Sequence, residues 1–168
     1  YTYTPTPTDT PTSTPTSTAT PVTVVSGWEK LYEGSGAYLR DIHFTDRNTG
    51  YVVGGGDWKA STGNATVLKT TDGGITWTPT TLTQAVWFAG LDCKNSATCW
   101  ISGKNGTIMR TTDGATWTLA TNSSGLKTYL VATKWTGIGD HVLVGTSQGN
   151  LLRSTNGSTF AKVDTGYG

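Results

Sequence analysis

Few side chains in this 168-residue chain are of a kind and spacing that does chemistry. Cys93 and Cys99 are its two cysteines, one at either end of the run Lys94-Asn95-Ser96-Ala97-Thr98. A pair that brackets a hairpin loop closes a disulfide when the two positions face each other. The alternative is a pair of reduced, buried thiols. The histidines, His43 and His141, are not sequence-adjacent, so four metal ligands are hard to assemble. Glu29 and Glu33 are the only glutamates, and neither a Ser-His-Asp order nor a paired-carboxylate spacing stands out. No catalytic residue, metal ligand or cofactor is assigned, and the chain reads as a protein that is not an enzyme.

What recurs is a turn. Thr70-Thr71-Asp72-Gly73-Gly74-Ile75-Thr76-Trp77 returns one residue shorter as Thr111-Thr112-Asp113-Gly114-Ala115-Thr116-Trp117. It returns again as Ser154-Thr155-Asn156-Gly157-Ser158-Thr159-Phe160. Asp113 lies 41 residues after Asp72, and Asn156 lies 43 after Asp113. Asp or Asn caps nearby backbone N–H groups and the following Gly takes φ > 0, which closes a tight hairpin. The aromatic residue opens the return strand with its ring folded over the turn. Asp72, Gly74, Trp77, Asp113, Gly114, Trp117, Asn156, Gly157 and Phe160 are therefore expected to be structural.

A fixed period of that size marks a stacked or radial repeat. In the first repeat, Leu39–Phe44 alternates as a strand, residues 45–50 turn, Tyr51–Gly54 is a strand, and Asn64–Thr70 leads into the first box. Phe88–Cys93, Cys99–Gly103 and Asn105–Arg110 take the same places in the second. Tyr129–Trp135, His141–Gly145 and Gly149–Arg153 take them in the third, which puts Phe44, Cys93 and Trp135 at one position. The expected fold is all-β: three four-stranded antiparallel blades of about 40 residues, over roughly 37–80, 86–120 and 129–163, within a repeat domain spanning 22–168. Ahead of the first blade, Val22-Thr23-Val24-Val25 reads as a strand, and Gly27-Trp28-Glu29-Lys30-Leu31 resembles the return strand that follows each box.

Residues 1–21 are of another kind. Thr2, Thr4, Thr6, Thr8, Thr10, Thr12, Thr14, Thr16, Thr18 and Thr20 fill every even position, while all five prolines of the tract are odd. Such a segment buries no core. It reads as an extended arm whose hydroxyls are acceptors for O-linked sugar, or as an edge strand pairing along its proline-free side. Asn64, Asn105, Asn122 and Asn156 also match the N-linked acceptor pattern.

With 22 Gly, 7 Trp, 7 Tyr and only 14 % charged residues, the composition fits short strands joined by tight turns. A net charge of +1 gives no footprint for nucleic acid, and no apolar run reaches the length of a membrane span. The chain begins at Tyr1, so it reads as a mature product, a fragment or a stretch of a longer chain.

The frame Gly50-Tyr51-Val52-Val53-Gly54, then Val67-Leu68-Lys69 running into the first box, resembles the repeat of photosystem II assembly/stability factor-like proteins. It contains an Asp-box (BNR) motif of the sialidase-type propellers, and the likeness covers roughly residues 28–165. The resemblance implies closed β-propellers, commonly of about six or seven blades. For sialidase chemistry it implies a Tyr nucleophile, an acidic partner and three arginines. Only Arg40, Arg47, Arg110 and Arg153 exist here, and Arg110 and Arg153 share one repeat position with Lys69, as strand-surface residues do. The assembly-factor role implies a basic patch and a photosynthetic partner. Trp58 and Trp87 are candidates for stacking on sugars, or for the core.

The function expected is a non-enzymatic extracellular structural or interaction protein. Its partners are itself, in a ring or fibre, and covalently attached glycans, with no nucleic acid and no membrane span. The alternative is part of a larger propeller that binds or hydrolyses glycans or acts as an assembly factor.

Overall fold

The computed structural model describes residues 38–55, 65–82, 84 and 86–166. The Thr/Pro arm with its O-linked acceptors, the strands expected within residues 22–31, Trp58 and Asn64 lie outside the described residues. The described chain is β-structure in three sheets, with a single 3-10 turn at Lys104–Gly106, where the strand leading into the second box is expected to start at Asn105.

The first blade is β1 (Tyr38–Phe44), β2 (Gly50–Gly55), β3 (Thr66–Thr70) and β4 (Thr78–Thr81), paired antiparallel in chain order. The second is β5 (Phe88–Cys93), β6 (Cys99–Gly103), β7 (Ile108–Thr111) and β8 (Thr118–Leu119). After the short β9 (Thr121–Asn122), the third blade is β10 (Leu130–Trp135), β11 (Val142–Thr146), β12 (Leu151–Ser154) and β13 (Thr159–Val163). β9 adds to this sheet as a fifth strand, parallel to β13, a pairing the repeat does not announce. Each first strand carries a register shift at the same place, opposite Gly54, Gly103 and Thr146. Such bulges raise local twist.

The blades stack through two cores. Tyr51, Val53, Val67 and Leu82 of the first blade pack on Phe88, Leu91, Cys93, Ile101 and Met109 of the second. Trp100 and Ile108, on the other face of the second, pack on Leu130, Val142, Val144, Leu152 and Phe160 of the third. Alternate residues of β6 thus face opposite neighbours, as the two-residue period of a strand requires. The first strands of neighbouring blades touch, β1 to β5 and β5 to β10, so the blades converge there and fan apart outwards. The approach is tight: a Cβ on Gly90 would stand 2.7 Å from the Thr133 nitrogen. Beside it the Ser102 and Thr133 hydroxyls share a buried 2.6 Å hydrogen bond.

Polar side chains also cross both joints, and they reach the boxes. Lys69 donates from Nζ to the Gly114 carbonyl at 3.0 Å, and the Tyr51 hydroxyl donates to the Ser96 carbonyl at 2.5 Å. At the next joint, Trp100 Nε1 donates to the Gly157 carbonyl at 2.8 Å. Arg110 donates to the Asn156 carbonyl and the Ser158 hydroxyl at 3.2 and 2.9 Å. Lys69 and Arg110 are therefore inter-blade ties, which corrects their reading as repeated strand-surface residues; Arg153, at the same repeat position, is exposed.

Candidate functional site

Where β1, β5 and β10 end side by side, the rung before Phe44, Cys93 and Trp135 carries His43, Asp92 and Lys134. Their register partners are Tyr51, Trp100 and Leu143, so all three hold one position in successive blades. Asp92 is buried, with His43 Nδ1 3.0 Å from Oδ1 and Lys134 Nζ 3.0 Å from Oδ2. The Trp135 N–H donates to Oδ2 at 2.7 Å. One buried carboxylate of the middle blade thereby takes donors from both neighbours, which offsets the cost of burying it. Lys134 keeps most of its side chain in solvent.

This row floors a cleft of about 490 Å³ lined by His43, Thr45, Asp92, Lys94, Lys134 and Trp135 together with neighbouring turn residues. On its rim, Lys94 Nζ lies 2.9 Å and Arg110 2.6 Å from the oxygens of Asp140. The Lys94 hydrogen bond and the Arg110 charge hold Asp140 below the ordinary carboxylate range. Among the lining side chains, Lys94 and Lys134 stand against one carboxylate, Asp92, so the lining carries a positive excess even with His43 neutral.

The three turns that frame the cleft differ. Asp46 accepts from the Asn48 and Thr49 N–H groups at 2.8 Å each, and those bonds lower its pKa. Asn95 accepts from Ala97 and Thr98 in the same manner. The third turn has no such cap. It runs Gly137-Ile138-Gly139 with both glycines at positive φ and Ile138 exposed, while Trp135 Nε1 donates to the Gly139 carbonyl. Cys93 and Cys99, opposite one another in register with Cα atoms 4.0 Å apart, are joined by a disulfide that ties the base of the second turn.

The boxes lie at the same end of the blades, farther from the row: the Gly73 N–H donates to the Asn48 carbonyl of the first turn at 2.8 Å. Their acidic groups face inward on their own turns. Asp72 accepts from the Thr76 hydroxyl at 2.5 Å and the Thr76 N–H at 2.9 Å, bonds that bring its pKa to about 2. Asp113 accepts from the Thr116 and Ala115 N–H groups, which push it lower still. Asn156 makes the equivalent bonds to Ser158 and Thr159 without a charge. Gly74, Gly114 and Gly157 stand at positive φ. Trp77 meets Phe44 edge to face, Trp117 meets Tyr51 likewise, and Phe160 is buried.

Other candidates from the sequence sit elsewhere. Trp87 is half-buried, stacked on Tyr129 at 5.6 Å with the Arg40 guanidinium 5.2 Å from its ring, so its faces are occupied. Asn122 donates its amide to the Gly106 and Leu126 carbonyls. Among the described residues no three His, Cys, Asp or Glu side chains converge as a metal set would. Sequence reasoning missed the charged row, although its signal was present. Aligning Phe44, Cys93 and Trp135 also aligns the residues before them, and a polar residue there three times over is unlike a core rung.

Antiparallel four-stranded sheets, stacked by their faces and tied box to blade, are Asp-box propeller blades. The pattern described as photosynthesis system II assembly factor YCF48 matches residues 20–163, and the chain belongs to that family. Among solved structures, YCF48 bound to D1 peptide matches at 26 % identity and a TM-score of 0.63, over 76 % of this chain and 39 % of that one. YCF48 from Cyanidioschyzon merolae matches at 24 % identity and a TM-score of 0.66, over 82 % of this chain and 43 % of that one, a likeness of fold. The chain thus spans about two fifths of the length of these solved relatives. No curated protein matches.

These findings correct the expected partner. The expected partner was a second copy of the chain, in a ring or fibre. The solved relative holds a D1 peptide, a partner of a different kind from a second copy.

Proposed function

We propose that this chain works in the manner of an assembly factor, as a non-catalytic propeller segment that holds an extended stretch of a partner protein across the His43–Asp92–Lys134 cleft. The observation that carries the reading is the cleft itself, a positively charged groove with an apolar edge on converging strands, in a family whose solved member is bound to a peptide. Exposed lysine amines and the Trp135 ring suit a peptide with acidic and apolar side chains. Asp92 has donors on both oxygens and the cysteines are oxidised, which favours holding over reacting. The disulfide and the Thr/Pro arm support an extracytoplasmic, oxidising setting.

Fluorescence anisotropy with a labelled D1 peptide and a scrambled control tests this. The intact chain is expected to bind the D1 peptide more tightly than the control. Lys94→Gln with Lys134→Gln is expected to weaken binding by about tenfold, roughly 1.4 kcal/mol, and the affinity should fall as salt is raised. Equal binding of both peptides, no binding, or a double variant that binds as well as the parent would overturn the reading.

A further inference from the structure

Lys69 and Arg110 hold one position in successive blades, and each reaches across a joint to the next box. Their charges are met differently. Arg110 stands 2.6 Å from the Asp140 carboxylate and also donates to the Asn156 carbonyl and the Ser158 hydroxyl. Lys69 gives one donor to the Gly114 carbonyl, with the Tyr51 ring centre 5.5 Å from its Nζ. Neither the Asp140 carboxylate nor the Ser158 hydroxyl has a counterpart at the first joint. Residues 94–98, the turn that corresponds to Asp140's, contain no acid, and Ala115 stands in the place of Ser158. Lys69 is half-buried, and among the described residues no carboxylate pairs with it. A partly buried charge left without its counterion is costly, and the second joint shows what the first one lacks.

Lys69 lines a cleft of about 260 Å³ with Thr71, Thr78, Thr80, Gly114 and Ala115. Thr78 is opposite Lys69 in register and Thr80 is opposite Val67, a residue of the core shared with the second blade. Alternate residues of β3 and β4 thus turn the ammonium and two hydroxyls toward the second blade. The hydroxyls of Thr71, Thr78 and Thr80 take no partner among the described residues, and two of the three ammonium donors remain. No carboxylate lines the cleft, since Asp72 and Asp113 turn their oxygens to their own boxes.

We infer that this cleft binds a hydroxylated carboxylate, one sugar-acid unit such as a hexuronic acid. Its carboxyl group takes the place at Lys69 that Asp140 takes at Arg110. Its hydroxyls pair with the three threonine hydroxyls, and the threonine methyls and Ala115 meet the C–H face of the ring. The volume falls below the roughly 300–1,000 Å³ of sites for drug-sized ligands, which suits a single ring and not a chain. An acidic side chain of a peptide satisfies Lys69 alone and leaves three hydroxyls unused, so the sugar acid is favoured. The site shares no lining residue with the His43–Asp92–Lys134 cleft and does not rest on the peptide reading.

Amide chemical-shift titration of the isotope-labelled full chain tests this with three probes: D-glucuronate, D-glucose and N-acetylglutamate. Glucuronate is expected to shift Lys69, Thr78 and Gly114 in a saturable manner, with an affinity about tenfold above that of either other probe. Lys69→Gln should weaken it by at least a comparable factor. Because that change also removes a tie between blades, a second variant leaves the tie in place. Ala115→Asp supplies an internal carboxylate beside Lys69 at an exposed position, and it is expected to abolish glucuronate binding in a chain whose amide spectrum is otherwise that of the parent. Arg153→Gln, at the same repeat position but exposed on the third blade, should bind as the parent does. Glucose or N-acetylglutamate binding as tightly as glucuronate, shifts that never saturate, or an Ala115→Asp chain that still binds would each overturn the assignment.

Discussion

The box carboxylates show how little of a conspicuous residue's chemistry is free for a ligand. Asp72 spends its oxygens on Thr76 and Thr70, and Asp113 spends its own on Thr116, Ala115 and Thr111. Each fixes a turn because the folded backbone offers donors that the unfolded chain does not. A pKa of about 2 for Asp72, below its ordinary 3.8, means that the folded state prefers the ionised form. The associated stability is present above the unfolded pKa and is lost as pH falls from about 4 through 2. Asp72→Asn, which copies the natural Asn156, is therefore expected to flatten that part of the stability curve while leaving neutral-pH folding close to the parent. Thermal melts between pH 2 and 6 check this, and an unchanged acid limb would contradict it. The recurrence of Asp-Gly made these turns legible from sequence; the acceptor count that sets the pKa was not, since it depends on how the turn folds.

At the scale of strands and turns, each joint couples the box of one blade to the second and third strands of the blade before. The Trp100 indole is buried, donates to the Gly157 carbonyl and leaves no room for a side chain there: a Cβ on Gly157 would stand 2.7 Å from the ring. Trp100→Phe keeps most of the apolar contact and removes the donor, so the carbonyl is left buried and unpaired. The expected cost is about 1–3 kcal/mol, the scale of an orphaned buried polar group. Urea unfolding checks it, and a variant within experimental error of the parent would mean that water replaces the indole. The strands of the three blades follow from alternation, glycine and turn chemistry within a residue or two at their ends, except β7, which starts three residues later than expected because a 3-10 turn occupies Lys104–Gly106. The ties across joints did not, because Lys69, Arg110 and Trp100 are ordinary strand residues until the neighbouring blade is in place. β9 was hidden for a similar reason: a two-residue strand has no period to read.

Among the described residues, three blades converge on one edge, and the charged row His43–Asp92–Lys134 is assembled there from residues roughly 40 to 50 positions apart. No single stretch of sequence contains the site, which exists only because the repeat places one rung of each blade side by side. Family membership and the likeness in fold to YCF48 structures account for the blades, and the chain spans about two fifths of the length of those structures. The central claim is that the cleft over this row is where a partner's peptide lies. Amide chemical-shift mapping of the labelled chain on addition of D1 peptide tests it most directly. The account predicts shifts clustered at Thr45, Asp92, Lys94, Trp135 and Gly137, with the opposite end of the blades, at Asn105 and Gly149, undisturbed. Shifts confined to that opposite end, or none at a saturating peptide concentration, would contradict it.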